Sequence, residues 1–383
     1  MIAAALVALS AFSLLLAIVQ VFALRAHLRC KPAPARQLPF ISLLKPLCGV
    51  DDDLHRNLRS FARLVYPHYE VLLGVKDKLD AAYPIALEAA ERWPWLMRVV
   101  VQRGSPGLNP KVNQLITLSA AARGEVLVVN DSNVRVRRDY LKGIAAAFDD
   151  ERVALVTHPV AGAGERTAGA LFDNLQMCGA VAPGIVAAAR IAGRDLVVGK
   201  SMALRRSALQ AMGGFERLKD VLAEDFLSGR IVVQELRKRV AIAASPVINV
   251  ARESCAAAFF SRYLRWSVMQ RKAVGNAVYV LQILLNPVAL AAAAFLIDPR
   301  TAPAFAAIAL LRSGLHECSA RMLRGRGFGL AALATPVADL IVAAAWAAGL
   351  FRSEVTWRGN RLSVLEGTRL APVPEPFLEL PAN

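Results

Sequence analysis

The sequence contains no CxxC pair, no G-x-G-x-x-G turn and no G-x-x-x-x-G-K-[ST] loop. Its five cysteines, Cys30, Cys48, Cys178, Cys255 and Cys318, are odd in number and have no histidine at ligand spacing. That excludes a disulfide framework and a zinc site and leaves reduced thiols. The five histidines, His27, His55, His68, His158 and His316, show no pairing suited to metal or nucleophile chemistry. "GRDLVVGKS" does contain GKS, but Gly193 stands one residue too far from Gly199 for a P-loop. Conventional dinucleotide and NTPase sites are therefore excluded, whereas a nucleotide bound as a sugar donor needs neither motif. Acidic residues are scarce, 30 against 46 Lys and Arg, which gives a net charge of +16.

What the chain has in excess is apolar side chains. It is 56% hydrophobic with a mean hydropathy of +0.41, above the roughly 45–50% of ordinary soluble domains. The excess sits in the first 24 residues and again from Ala273 to Phe351. Ile2–Leu24 runs 23 residues without a charge, long enough to cross a hydrocarbon core of about 30 Å. A cleaved signal peptide would need a basic start and an apolar core of about 7–15 residues. Neither is present, so residues 1–25 read as an uncleaved transmembrane anchor. Arg25, Arg29, Lys31 and Arg36 follow it, and the positive-inside rule then puts the central domain in the cytoplasm.

Three more apolar stretches follow, Ala273–Ile297, Ala302–Leu311 and Phe328–Phe351, with basic clusters at Arg321, Arg324 and Arg326 and at Arg352, Arg358, Arg361 and Arg369. Three full spans would place the last cluster outside, against the charge rule. Two spans plus an interfacial or re-entrant segment keep it inside. We expect the second arrangement for residues 273–351, with 352–383 as a basic cytoplasmic tail. The positive charge flanks apolar segments and is not interleaved with aromatics on one face, so anionic lipid, not nucleic acid, is its expected partner. The Ala-rich, short-looped composition points to a multi-pass protein of a bacterial inner membrane.

Between these ends, residues 38–270 alternate strand and helix patterns. "FISLLKPLCGV" (40–50) reads as a buried strand running into three aspartates, and "NLRSFARLVYP" as a helix stopped by Pro67. "YEVLLGVKD" (69–77) is a second strand ending on Asp77, "YPIALEAAERW" a helix and "MRVVVQ" (97–102) a third strand. "NPKVNQLITLSAAARG" enters a helix that Gly124 is expected to end, and "EVLVVND" is a fourth strand. The alternation predicts an α/β domain with a mostly parallel sheet and right-handed crossovers. Such sheets bind ligands beyond the carboxyl ends of their strands, where Asp77 and Asp131 fall.

Further carboxylates and arginines recur in a fixed order. Asp131 is followed two residues later by Asn133, and "DVLAEDFLSGRI" (220–231) opens a helix on Glu224 and Asp225. Thirty-seven residues after Asp225, "RYLRW" sets Arg262, Arg265 and Trp266 at helical spacing just before Ala273. Each feature has a plain structural reading. Asp77 is a turn residue, Asp131 a turn or helix cap, and Glu224-Asp225 first-turn charge on a helix dipole. "SPGLNPKVNQL" is a surface loop and the Arg-Trp set an interfacial anchor.

Taken in order, they resemble the membrane-bound family-2-type glycosyltransferases of the GT-A fold. "NPKVNQL", "DSNVRV", "VGKSMALRR", "LAEDF", "RYLRW" and "VTWRGNRL" are similar to the ceramide glucosyltransferase branch over residues 40–365. The resemblance implies a Rossmann-like GT-A domain with transmembrane or interfacial helices at both ends. It implies that Asp225 is the general base and that Asp77, with Asp80 assisting, binds the uridine and ribose. Asp80-Ala81 departs from the Asp-Pro frequent in the family. Asp131 would hold Mg²⁺ or Mn²⁺ and the diphosphate, with the Asn133 amide as a weak ligand and the donor phosphates completing the shell. Lys111 and Asn113 would lie near the donor phosphates or base. Arg262 and Arg265 would clamp the departing diphosphate, and Trp266 would floor the sugar or acceptor site.

An arginine at the first position of this box, where processive synthases usually carry Gln, implies transfer of a single sugar. One base and one displacement imply inversion. The implied reaction moves one hexose, glucose from UDP-glucose, onto a membrane lipid hydroxyl such as that of ceramide. N-acetylglucosamine transfer to a hopanoid or diacylglycerol-type lipid stands as an alternative. "AVAPGI" (180–185) lacks the His-Pro that some members carry for acceptor handling. Asn133 in place of a carboxylate keeps open a non-catalytic lipid-binding protein, against which the complete Asp77, Asp131, Asp225 and RxxRW set speaks.

Overall fold

A computed structural model describes the whole chain except residues 31–32, 195, 358 and 374–383. Lys31 and Arg358 of the basic clusters, and the tail from residue 374 on, lie outside the described residues. After α1 (Ile2–Arg29) come β1 (Ile41–Pro46), α2 (Leu54–Phe61), β2 (Tyr69–Val75), α3 (Tyr83–Arg92), β3 (Met97–Val101), α4 (Pro110–Ala121) and β4 (Val126–Asn130). They reproduce the strand-helix alternation read from the sequence. Next are β5 (Val134–Arg135), α5 (Tyr140–Ala147), β6 (Val153–Thr157) and β7 (Val160–Ala163), then α6 (Ala168–Gln176) and α7 (Ala182–Arg190), fused by a π turn at Met177–Val181. β8 (Ser201–Arg205), α8 (Arg206–Ala211), α9 (Glu224–Arg230), β9 (Arg239–Ile242) and β10 (Val247–Val250) complete the α/β part.

The main sheet runs β3-β2-β1-β4-β8-β6-β9. The four strands read from the sequence are parallel to one another, while β8 pairs antiparallel with both β4 and β6. β1 and β4 are buried along their whole length, as expected of strands covered by helices on both faces. Apolar cores fill the two sides, one around Leu43, Phe61 and Val128 and the other around Leu44, Leu115 and Phe215. Gly124 has a different role from the one expected. α4 ends at Ala121, and Gly124 lies where the chain crosses β1 so closely that a Cβ would stand 2.5 Å from the Ser42 nitrogen. Close approach, not helix termination, requires glycine there.

The last third holds α10 (Ala256–Val274), α11 (Asn276–Leu281), α12 (Pro287–Ile297), α13 (Ala302–Arg324) and α14 (Thr335–Gly349), followed by β11 (Glu354–Trp357), β12 (Asn360–Val364) and β13 (Leu370–Pro372). Among the described residues, three helices are long and apolar enough to cross a membrane: Ile2–Arg29, Ala168–Arg190 and Gly329–Gly349. Of the three stretches expected to form two spans and an interfacial or re-entrant segment, the first, at 273–297, is bent by 81° between Leu285 and Pro287, where Pro287 removes a backbone donor. The second helix of the three falls inside the expected 38–270 unit and was not anticipated. It is 67% buried within the protein, packing on α1 and α13.

A buried polar hub ties the helices together. Asp339 accepts from Gln176 at 2.6 Å and from Arg312 at 3.1 Å, and its carbonyl accepts from Asn286 at 2.8 Å. α10 packs on α6 and α14, so the helix of the RxxRW box belongs to this layer as much as to the sheet domain. The basic segment around "TWRGNRL" forms strands β11 and β12. Leu362, Val364 and Leu370 pack with Val268 of α10 and with Leu222, two residues before Glu224. A backbone bridge joins Val221 to Arg369. The C-terminal strands thereby brace the segment that leads into α9.

Candidate active site

The carboxyl ends of β1 and β4, the start of α4 and the start of β8 meet at Asp131. α4 begins where it does because Asn109 caps it, accepting from the N–H groups of Lys111 and Val112, with Pro110 at the first helical position. That cap sets Lys111 in the first turn. Its Nζ lies 2.9 Å from Asp131 Oδ1 and 2.8 Å from Glu224 Oε1, and it donates to the Gly199 carbonyl at 3.3 Å. Lys200, just before β8, stands 2.9 Å from Asp131 Oδ2 and donates to Asn133 Oδ1 at 3.1 Å. Lys45, fully buried near the end of β1, donates to the Asp131 backbone carbonyl at 2.8 Å and lies 4.0 Å over the Phe61 ring.

One aspartate is thus surrounded by three lysines from three elements. Burial opposes its ionisation, but the charges of Lys111 and Lys200 and their hydrogen bonds outweigh it and hold the carboxyl far below the usual range. Burial dominates at Lys45 and lowers its pKa to about 7, against the pull of Asp131 and Asp51.

Asp225 stands beside this cluster on the first turn of α9. Its Oδ2 accepts from Gly199 N at 2.6 Å and its Oδ1 from Phe226 N at 2.8 Å. A Cβ on residue 199 would lie 2.9 Å from Asp225 Oδ2, so only glycine lets the backbone donor come this close. Burial, then the charge of Glu224, pushes the Asp225 carboxyl up to about 6, against Lys111 and the two backbone donors. A carboxylate of that pKa is mostly ionised at neutral pH yet basic enough to accept a proton. The residues Asp131, Lys111, Glu224 and Asp225 form one connected group through Lys111 and Gly199.

The other expected residues make contacts of their own elsewhere in the fold. Asn113, expected beside the donor, directs both amide atoms to Gly107: its Oδ1 accepts from the Gly107 N–H at 3.0 Å and its Nδ2 donates to the carbonyl at 2.8 Å. It holds the loop before α4. Asp77 follows the end of β2, with Oδ1 accepting from Leu79 N at 2.8 Å. Asp80 accepts from Gly49 N at 2.8 Å and Ala82 N at 2.9 Å, joining that turn to the end of β1. Arg262 is ion-paired with buried Asp173 of α6, which anchors α10 to the helical layer. Trp266 packs on Tyr263, ring centroids 5.1 Å apart, and against the sheet core. Arg265 is half-buried one helical turn from Arg262.

Lys45, Lys200 and Glu224 were not among the expected site residues. Two had visible signals: a lysine in the otherwise apolar "FISLLKPL", and GKS set against a strand. Lys200 is held in place from below. Ser201 Oγ lies 2.7 Å from Tyr140 Oη and 2.8 Å from His158 Nδ1, and Asn130 donates to the Lys200 carbonyl at 3.4 Å. Among the described residues no group of three or more His, Cys, Asp or Glu side chains could hold a metal ion.

A sheet of this topology, with an aspartate at a strand end and a second carboxylate opening a later helix, defines a GT-A glycosyltransferase domain. The sequence matches Glycosyl transferase family 21 over residues 5–370, and the chain belongs to that family. It is 28% identical over 244 residues to ceramide glucosyltransferase 1 of Caenorhabditis elegans, covering 63% of this chain and 52% of that one. With ceramide glucosyltransferase 3 of the same organism it shares 27% identity over 231 residues, 60% of this chain and 50% of that one. The chain spans about half the length of these curated relatives. A mannosyltransferase of Pyrobaculum calidifontis, PcManGT, solved with GDP-Man and Mn²⁺, has the same fold, with a TM-score of 0.52 at 18% identity over 92% of this chain and 99% of that one.

Proposed function

We propose that the protein is an inverting glycosyltransferase that moves one glucose from UDP-glucose to the hydroxyl of a ceramide-like lipid at the cytoplasmic leaflet of a bacterial inner membrane. The observation that carries this reading is Asp225, fixed by Gly199 and raised to about 6, standing next to a lysine-lined aspartate at a strand end. The family and the ceramide glucosyltransferase relatives support the acceptor class. The apolar helices around α10 support a lipid delivered from the bilayer.

In the proposed reaction Asp225 takes the proton of the acceptor hydroxyl as its oxygen attacks the anomeric carbon. The bond from that carbon to the donor's diphosphate oxygen breaks, and the electron pair leaves with UDP. Lys111, held by Asp131 and Glu224, faces the developing charge. Asp77 and Asp80 order the turn beside the donor's nucleoside. Arg262, paired with Asp173, positions α10 so that Arg265 and Trp266 border the site.

A divalent cation fits here. Asp131 Oδ2 and Asn133 Oδ1 converge on one point, which the Lys200 ammonium marks at 2.9 and 3.1 Å. One carboxylate and one amide suit an ion that takes its remaining ligands from phosphates and water. Mg²⁺ or Mn²⁺ held by Asp131 and Asn133 would supply positive charge for the leaving diphosphate.

Purified protein in detergent, given UDP-glucose and ceramide, is expected to release UDP in a ceramide-dependent manner, and Asp225→Asn to abolish it. Release with another lipid or sugar nucleotide alone would replace the substrates. No release with any pairing would overturn the reading.

A further inference from the structure

We infer that the Lys200 ammonium is an internal stand-in for the divalent cation: it fills the Asp131–Asn133 position while the donor is absent and passes to the donor diphosphate when the ion enters. The inference rests on the reading of this cluster as the donor site. Lys200 Nζ bridges the Asp131 carboxylate and the Asn133 amide, at 2.9 and 3.1 Å. An ion and this ammonium cannot share the point between those oxygens, so one excludes the other. Lys111 does not compete in the same way, because it holds Asp131 through the opposite oxygen and is tied to Glu224 and Gly199.

The backbone of Lys200 is fixed, and its ammonium reaches Asp131 and Asn133 from the end of the side chain. Ser201 pairs with Asn130 in the β4–β8 register, and its hydroxyl is held by Tyr140 and His158. A lysine carries its charge as a flexible point on a four-carbon stem. Charge balance points the same way. Without donor, Lys111 and Lys200 offset Asp131 and Glu224, and Asp225 beside them adds a further carboxylate. A diphosphate adds negative charge that an arriving dication offsets, and the ammonium displaced by that ion then has phosphate oxygens within its swing. This arrangement would keep the site closed to free metal and admit metal together with donor. It also accounts for Asn133: a second carboxylate there would bind free metal too well for an ammonium to displace it.

The test uses the full chain in detergent with two probes, Mn²⁺ alone followed by its free-ion spin resonance, and UDP with EDTA followed by calorimetry. The wild type is expected to bind Mn²⁺ weakly alone and on the order of tenfold or more tighter with UDP present. Lys200→Met is expected to gain on the order of tenfold in Mn²⁺ affinity without nucleotide and to lose a similar factor in metal-free UDP affinity. Lys200→Gln serves for the same comparison if the first variant does not fold.

Equal Mn²⁺ affinity with and without UDP in the wild type, or between wild type and variant, overturns the competition. Unchanged metal-free UDP affinity in the variant overturns the transfer to diphosphate. Neither titration needs turnover. A protein that moves no sugar but shows both shifts loses the proposed reaction and keeps this inference, and active protein with equal Mn²⁺ binding does the reverse.

Discussion

The pKa of Asp225 offers the sharpest prediction, because its causes are separable. The carboxyl titrates at about 6 against an ordinary 3.8, roughly two pH units, or about 3 kcal/mol against the charged form. As general base it must be ionised in the free enzyme, so kcat/KM should fall on the acid side with a half-point near pH 6. At pH 5 about a tenth of the activity should remain, and between pH 7 and 8 the profile should be flat. Burial is the larger cause and the Glu224 charge the second. Glu224→Gln therefore removes only the smaller cause, and it also frees Lys111 to act more strongly on Asp225. Both effects lower the pKa, so the half-point should move toward acid pH. The assay is UDP release at limiting donor across pH 4.5–8.5 (a range set by detergent and coupling enzymes). A wild-type profile still flat at pH 5, or an upward shift in the variant, would refute the reasoning.

Three other expectations follow from the same geometry. Lys111→Met leaves Asp131 and Glu224 without the cation they share, and should destabilise by about 3 kcal/mol, seen as a lower Tm in detergent. An unchanged Tm would mean that the pair is solvated. Gly199→Ala forces a methyl against Asp225 Oδ2 and should lower kcat on the order of a hundredfold with little change in Tm. The buried amine of Lys45 has a folded pKa of about 7 against an ordinary 10.5. The folded chain therefore releases this proton first, and stability should rise with pH between those values. Lys45→Met should flatten the rise in Tm from pH 7 to 9, and a parallel rise in both proteins would place its origin elsewhere.

The membrane-facing half corrects the reading of apolar runs most clearly. Hydropathy reports how apolar a segment is, not what covers it. The helix at Ala168–Arg190 interrupts its apolar residues with Asp173, Asn174 and Gln176, yet these are buried and bonded, to Arg262, to Glu165 and Ala251, and to Asp339. The run at 273–297 is mostly apolar but turns by 81° before Pro287.

The strand-helix alternation, the parallel half of the sheet and the position of Asp131 at a strand end were all determined by the sequence, because each depends on periodicity within one segment. So was the family, because its motifs are short and stand in a fixed order. Only the tertiary structure decided that Lys45, Lys111 and Lys200, up to 155 residues apart, converge on that one aspartate. It alone decided that Gly199 positions Asp225, and that Arg262 and Asn113 have partners within the protein. The reason is physical. A side chain's charge state and reach depend on which groups the fold packs beside it, and those neighbours come from distant segments that no local pattern links.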